Sequence, residues 1–115
     1  MPLARLKTFT LVGIDAFLVD VEVDISAAAV NRTTIVGLPD TAVKESTHRV
    51  ERAMVNSGFN YVDDNILINL APAELRKQAA TFDLPISIGL LVASGQMSSD
   101  LLEEYAIVGE LSLEG

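Results

Sequence analysis

The chain has no cysteine and a single histidine among its 115 residues. Without thiols there is no disulfide and no thiolate metal site, and a lone His48 cannot build a histidine pair around zinc. Long apolar runs are missing as well. The longest, residues 86–93, is interrupted by Ser87 and Gly89 and falls well short of the roughly 18 residues that a membrane span needs. Met1-Pro2-Leu3-Ala4-Arg5 supplies neither the charged n-region nor the apolar h-region of a secretory signal. None of the seven glycines sits in a Gly-x-x-x-x-Gly-Lys-Ser/Thr phosphate cradle, so these residues carry no P-loop. Together the absences lead us to expect a cytoplasmic chain with no membrane contact and no nucleotide site of its own.

Cations are also scarce where acids abound. Net charge is −8, from 8 Lys/Arg against 16 Asp/Glu. Residues 1–58 hold six Lys/Arg and seven Asp/Glu, a balance of −1, so residues 59–115, with two and nine, carry −7. The two cations of that second half are neighbours, Arg76 and Lys77. Such an acidic surface repels nucleic acid at long range, which confines any DNA contact to a local spot or to other domains.

What is present suits one domain with its own core: 50% apolar residues and a mean hydropathy of +0.37. Residues 3–12 read as a first strand and Gly13-Ile14-Asp15 as a turn. In residues 18–25, Val19, Val21, Val23 and Ile25 alternate with Asp20, Glu22 and Asp24, the pattern of a half-buried strand. Strands joined this closely form an antiparallel hairpin, which sets Arg5 and Lys7 near Glu22 and Asp24. Thr33 begins a β-branched third strand, residues 33–36. Gly37-Leu38-Pro39-Asp40 then opens a helix that runs to Ser57 with Gly58 just beyond it. Its inner stripe is Val43, Thr47, Val50 and Met54, widened by Ala42 and Ala53, and Glu45 and Arg49 lie four apart on the outer face.

Residues 65–70 make a fourth strand, residues 84–92 a helix apolar nearly all round, residues 98–104 a short helical turn and residues 106–113 a fifth strand. Asp83 is placed to cap the second helix and Pro85 fits its first turn. The order βββαβαβ predicts an α+β two-layer sandwich with two helices on one face of a sheet. A last strand that has just begun when the sequence stops at Gly115 points to an excised piece of a longer polypeptide.

Three groups carry polar chemistry. Arg76 and Lys77, with Thr81, lie in the loop before the second helix; cations beside a helix N-terminus are a recipe for holding an anion. The alternative is a surface loop whose cations relieve an acidic half. Asp20, Glu22 and Asp24 form a row spaced about 7 Å along a strand, a solvated or cross-paired face rather than the curved loop that wraps a hard cation. His48 projects from the outer face of the first helix, four residues from Lys44 and from Arg52, a surface position.

Several motifs recur together in a known family: Gly37-Leu38-Pro39-Asp40, Val43-Lys44-Glu45-Ser46, Asn56-Ser57-Gly58-Phe59, Asn69-Leu70-Ala71-Pro72-Ala73, Leu75-Arg76-Lys77, Phe82-Asp83-Leu84-Pro85 and Val108-Gly109-Glu110-Leu111. By these the chain resembles the N-terminal domain of the magnesium-chelatase-like AAA+ proteins, the ComM/YifB competence group of bacteria. The resemblance covers nearly the whole chain and is weakest at residues 26–32. It implies that residues 1–115 are one incomplete domain of a cytoplasmic parent with a Walker-type ATPase further along. For the parent it implies ATP and magnesium as cofactors, a homo-hexameric ring, and DNA branch migration in recombination and natural transformation.

The module is itself similar to the proteolytic domain of Lon, the two-layer fold named after ribosomal small-subunit protein five. That similarity sets Thr81 at or beside the position of Lon's nucleophilic serine, with Gln78-Ala79-Ala80-Thr81 standing where family members often show Glu-Gly-Pro-Ala. A hydroxyl attacks an amide only with a base in hydrogen-bond reach. The lysines are Lys7, Lys44 and Lys77, and a Lon-type lysine would fall past Gly115. Our expectation is therefore an accessory domain with no catalytic residue, no bound cofactor and no metal. The alternatives are a Lon-like ATP-dependent serine/threonine peptidase domain and a pure protein-interaction module.

Overall fold

The computed structural model describes residues 3–27, 32–61, 64–72, 79–98, 100 and 102–115. Its elements run β1 (Leu3–Val12), β2 (Asp15–Ser26), β3 (Arg32–Val36), α1 (Asp40–Asn56), β4 (Asn65–Ala71) and α2 (Asp83–Ala93). Short 3₁₀ turns occupy Ala79–Phe82 and Leu102–Glu104. The sheet has the order β1-β2-β4-β3. β1 with β2 and β2 with β4 are antiparallel, whereas β3 and β4 are parallel. A parallel pair needs a crossover, and α1 supplies it.

Both helices cover one face, as the period-2 pattern requires. Ala4 and Leu6 from β1, Val19, Val21 and Val23 from β2, Ile35 from β3 and Ile66, Ile68 and Leu70 from β4 all point to that layer and are buried. They meet Val50 and Met54 from α1 and Phe82, Ile86, Leu90 and Leu91 from the start and body of α2. Burying each of the larger side chains stabilises the fold by roughly 1.5–3 kcal/mol relative to exposure. Gly89 lets α2 lie close on the sheet, since a Cβ there would stand 2.6 Å from Cγ2 of Val23. Only glycine permits that approach without a shift of the helix or the valine.

The alternation of β2 and the hairpin pairing appear as the sequence predicts. Arg5 sits opposite Glu22, with Nε 3.5 Å from Oε2, but Asp20 is the residue opposite Lys7 and Asp24 faces Leu3. β2 also begins three residues earlier than its alternation suggests, because the ribbon continues past the last residue that β4 can pair, Asp20 opposite Ala71. The fifth strand is corrected. Ala106 makes a single parallel bridge with Lys7, and Ile107 N–H donates to the Lys7 carbonyl at 2.8 Å. Beyond that point the backbone takes its partners from the helices. Gly109 bonds to residues at the start of α2, and Asn56 Nδ2 donates to the Leu113 carbonyl at 2.7 Å. Among the described residues the order is therefore βββαβα.

Candidate site at the start of the second helix

Cations, a proline and an acid mark the start of α2 in the sequence. The structure places Thr81 in the 3₁₀ turn that feeds α2, half-buried, with its carbonyl accepting Gly109 N–H at 3.0 Å. Gly109 returns the contact: its carbonyl accepts Leu84 N–H at 3.1 Å. One residue of the C-terminal segment thus closes both sides of the helix entry. Arg76 and Lys77 lie outside the described residues.

Asp83 does not cap the helix. Phe82 holds the cap position without a side-chain bond, and Asp83 is the first helical residue. Its carboxylate is wholly buried and turns to α1 instead. Oδ1 accepts from Ser46 Oγ at 2.8 Å, Oδ2 from Arg49 Nε at 2.6 Å, and Oδ1 again from an Arg49 terminal nitrogen at 3.2 Å. A guanidinium fork in a water-poor setting binds a carboxylate more strongly than a lone helix N–H does, which is why the cap is forgone. Arg49 is therefore not spent on Glu45 at the outer face, as the spacing suggested. The Asp83 hydrogen bond raises the Arg49 pKa above its ordinary value; burial works against that rise, and the charges of Asp83, Glu45 and Glu110 add to it.

Ser46 and Arg49 were missed by the sequence reading, yet a signal existed. Ser46 is a small polar residue three after Val43 and four before Val50, on the apolar stripe, and Arg49 lies three further along the same side. A polar residue inside a helix stripe asks for a partner, and Asp83 is that partner.

The other candidates stay apart from this spot. His48 is exposed on α1. Glu22, the middle residue of the acidic row, is held by Arg5 and by Asn69 Nδ2, which donates to Oε1 at 3.1 Å, and so is cross-paired across three strands. Among the described residues no three His, Asp or Glu side chains converge as metal ligands, and no helix is long and apolar enough to cross a membrane.

Residues 21–115 match the family model described as subunit ChlI of Mg-chelatase. The chain belongs to that family. All 115 residues align with protein YifB of Escherichia coli K12 at 47% identity and with competence protein ComM of Haemophilus influenzae at 43%. The chain spans 22% of the length of each of these relatives. The family is the magnesium-chelatase-like group that the sequence resembles.

Proposed function

We propose that the chain is a non-catalytic accessory domain of a longer magnesium-chelatase-like AAA+ ATPase. Its parent is a cytoplasmic homo-hexamer that uses ATP and magnesium to drive DNA branch migration in recombination and natural transformation. The name competence protein, carried by the Haemophilus relative, supports the second part. The observation that carries the first is the commitment of polar groups at the α2 start to holding the fold. Asp83 is taken by Arg49 and Ser46, and the Leu84 N–H by the Gly109 carbonyl.

In this reading the domain acts through the loop of Arg76 and Lys77, which ends at Thr81 and engages an anionic partner, DNA phosphate or an acidic protein surface. Reversing both charges, Arg76→Glu with Lys77→Glu, in the full-length parent should lower DNA-stimulated ATPase about ten-fold or more, the equivalent of one lost charge-assisted contact. Thermal unfolding of the domain should stay unchanged, because the core is built from apolar side chains of β1 to β4, α1 and α2. Undiminished ATPase in the double variant rejects the loop as the functional surface.

The Lon-like alternative is tested separately. Lys7 on β1 and Lys44 on α1 are exposed, and a hydroxyl attacks an amide only with a base in hydrogen-bond reach. The full-length parent with ATP should leave an unfolded protein substrate intact, and Thr81→Ala should change nothing. Cleavage that disappears in Thr81→Ala would establish a peptidase.

A further inference from the structure

The β1–β2 hairpin outruns its sheet. β4 reaches only as far as the Asp20–Ala71 pair, and among the described residues no third strand pairs with the hairpin beyond it. Every residue from position 11 to position 18 is exposed, and Ile14 is 100% exposed at the turn. On the open face of the hairpin the Arg5–Glu22 and Lys7–Asp20 pairs are charged, but past them the polar alternation stops. Leu11 and Leu18 lie on that open face, Val12 and Phe17 on the opposite one, and Asp15 is the single charge among residues 11–18. These five apolar side chains are 42–100% exposed, spread over both faces and the turn of the hairpin tip.

A ribbon apolar on both faces needs cover on both faces. A second copy of the same hairpin could pair along an edge or stack on one face, leaving the other wet, and would bring a second net charge of −8 alongside the first. A cleft in a larger body covers both at once. The chain supplies 22% of its relatives' length, so about four-fifths of such a protein is available to form that cleft.

The place where the chain ends narrows the choice. Ser57 Oγ donates to the Glu114 carbonyl at 3.4 Å, which sets the end beside the last turn of α1. Asn60, four residues past the end of α1, is bonded at 2.8 Å to Gln96 past the end of α2, and Val92 of α2 lines one cavity with Leu3 at the start of β1. The hairpin tip is at the other end of β1, roughly 30 Å away for a ten-residue strand. About ten extended residues are needed merely to return.

We infer that the tip formed by Leu11, Val12, Ile14, Phe17 and Leu18 docks into an uncharged cleft of a downstream domain of the parent. This inference rests on the accessory-domain reading and names the surface by which the domain is held. The test replaces the fully exposed Ile14 with the photocrosslinker p-benzoylphenylalanine in the full-length parent and maps the products by mass spectrometry. The expected crosslink joins position 14 to a segment more than ten residues beyond position 115, and it is lost in a Phe17→Asp/Leu18→Asp background that keeps the wild-type circular dichroism. A crosslink to residues 1–115 of another copy, one to the ten residues after position 115, or no crosslink overturns the inference, as does a crosslink that survives the double substitution. Failure here leaves the accessory-domain reading standing, because that reading is tested by the proteolysis assay with Thr81→Ala and its functional loop by the ATPase of the Arg76/Lys77 variant.

Discussion

Replacing Asp83 with alanine is expected to lower the unfolding free energy by about 3–5 kcal/mol, a large part of the stability of a domain this size. The carboxylate is wholly buried, and its removal strands two groups at once: the Arg49 guanidinium, whose side chain is only 28% exposed, and the buried Ser46 hydroxyl. Arg49→Ala should be nearly as damaging, since it leaves a buried carboxylate held by one hydroxyl. Removing both charges together with apolar replacements, Asp83→Leu with Arg49→Met, should recover much of the loss, because a buried ion pair gains little over well-packed apolar groups. Urea unfolding of the wild type, Asp83→Leu, Arg49→Met and their double variant closes the cycle and gives the coupling directly. A coupling below about 0.5 kcal/mol, the level expected of independent sites, would show that the pair does not hold α1 to α2. The rise in the Arg49 pKa means that the guanidinium side of this contribution is fully present at neutral pH and is lost only above its ordinary range of titration.

The same pair shows where a linear sequence stops being readable. Alternation along β2 and the punctuation around α1 are local; α1 stands where the pattern puts it, and β2 keeps its alternation while beginning three residues earlier. The cross-strand pair Arg5–Glu22 was legible too, because a tight hairpin fixes register. Arg49 has two acids competing for it, Glu45 one turn away and Asp83 thirty-four residues on. Helix spacing favours the first at a few tenths of a kcal/mol, whereas burial favours the second by far more. Only the tertiary packing of α2 against α1 reveals that burial. The misread strand at residues 106–113 has a similar origin. Its β-branched and alternating residues fit a strand, yet hydrogen bonds offered by Thr81, Leu84 and Asn56 draw the backbone away from the sheet after Ile107. Propensity was outweighed by partners that lie elsewhere in the sequence.

Gly37→Ala should destabilise the domain by about 3–5 kcal/mol, although it adds one methyl group. Gly37 turns the chain from β3 into α1 with φ of +106°, a region that residues with a Cβ adopt only under strain. The added Cβ would also stand 2.5 Å from the Leu70 carbonyl oxygen and 3.1 Å from the Leu70 Cβ. Leu70 is buried in β4, and the clashing oxygen belongs to the backbone, so relief requires movement of β3 against β4 rather than a new rotamer. The contact joins two of the motifs that mark the family, Gly37-Leu38-Pro39-Asp40 and Asn69-Leu70-Ala71-Pro72-Ala73, and gives a physical reason for the glycine in the first. Gly13→Ala supplies the control: φ there is +65°, and nothing lies within 4 Å of the added Cβ. That variant should bear the backbone term alone, about 1–2 kcal/mol. The difference between the two variants in urea unfolding isolates the approach of Gly37 to β4. Equal losses would show that strain at positive φ explains both glycines and that the contact with Leu70 contributes nothing.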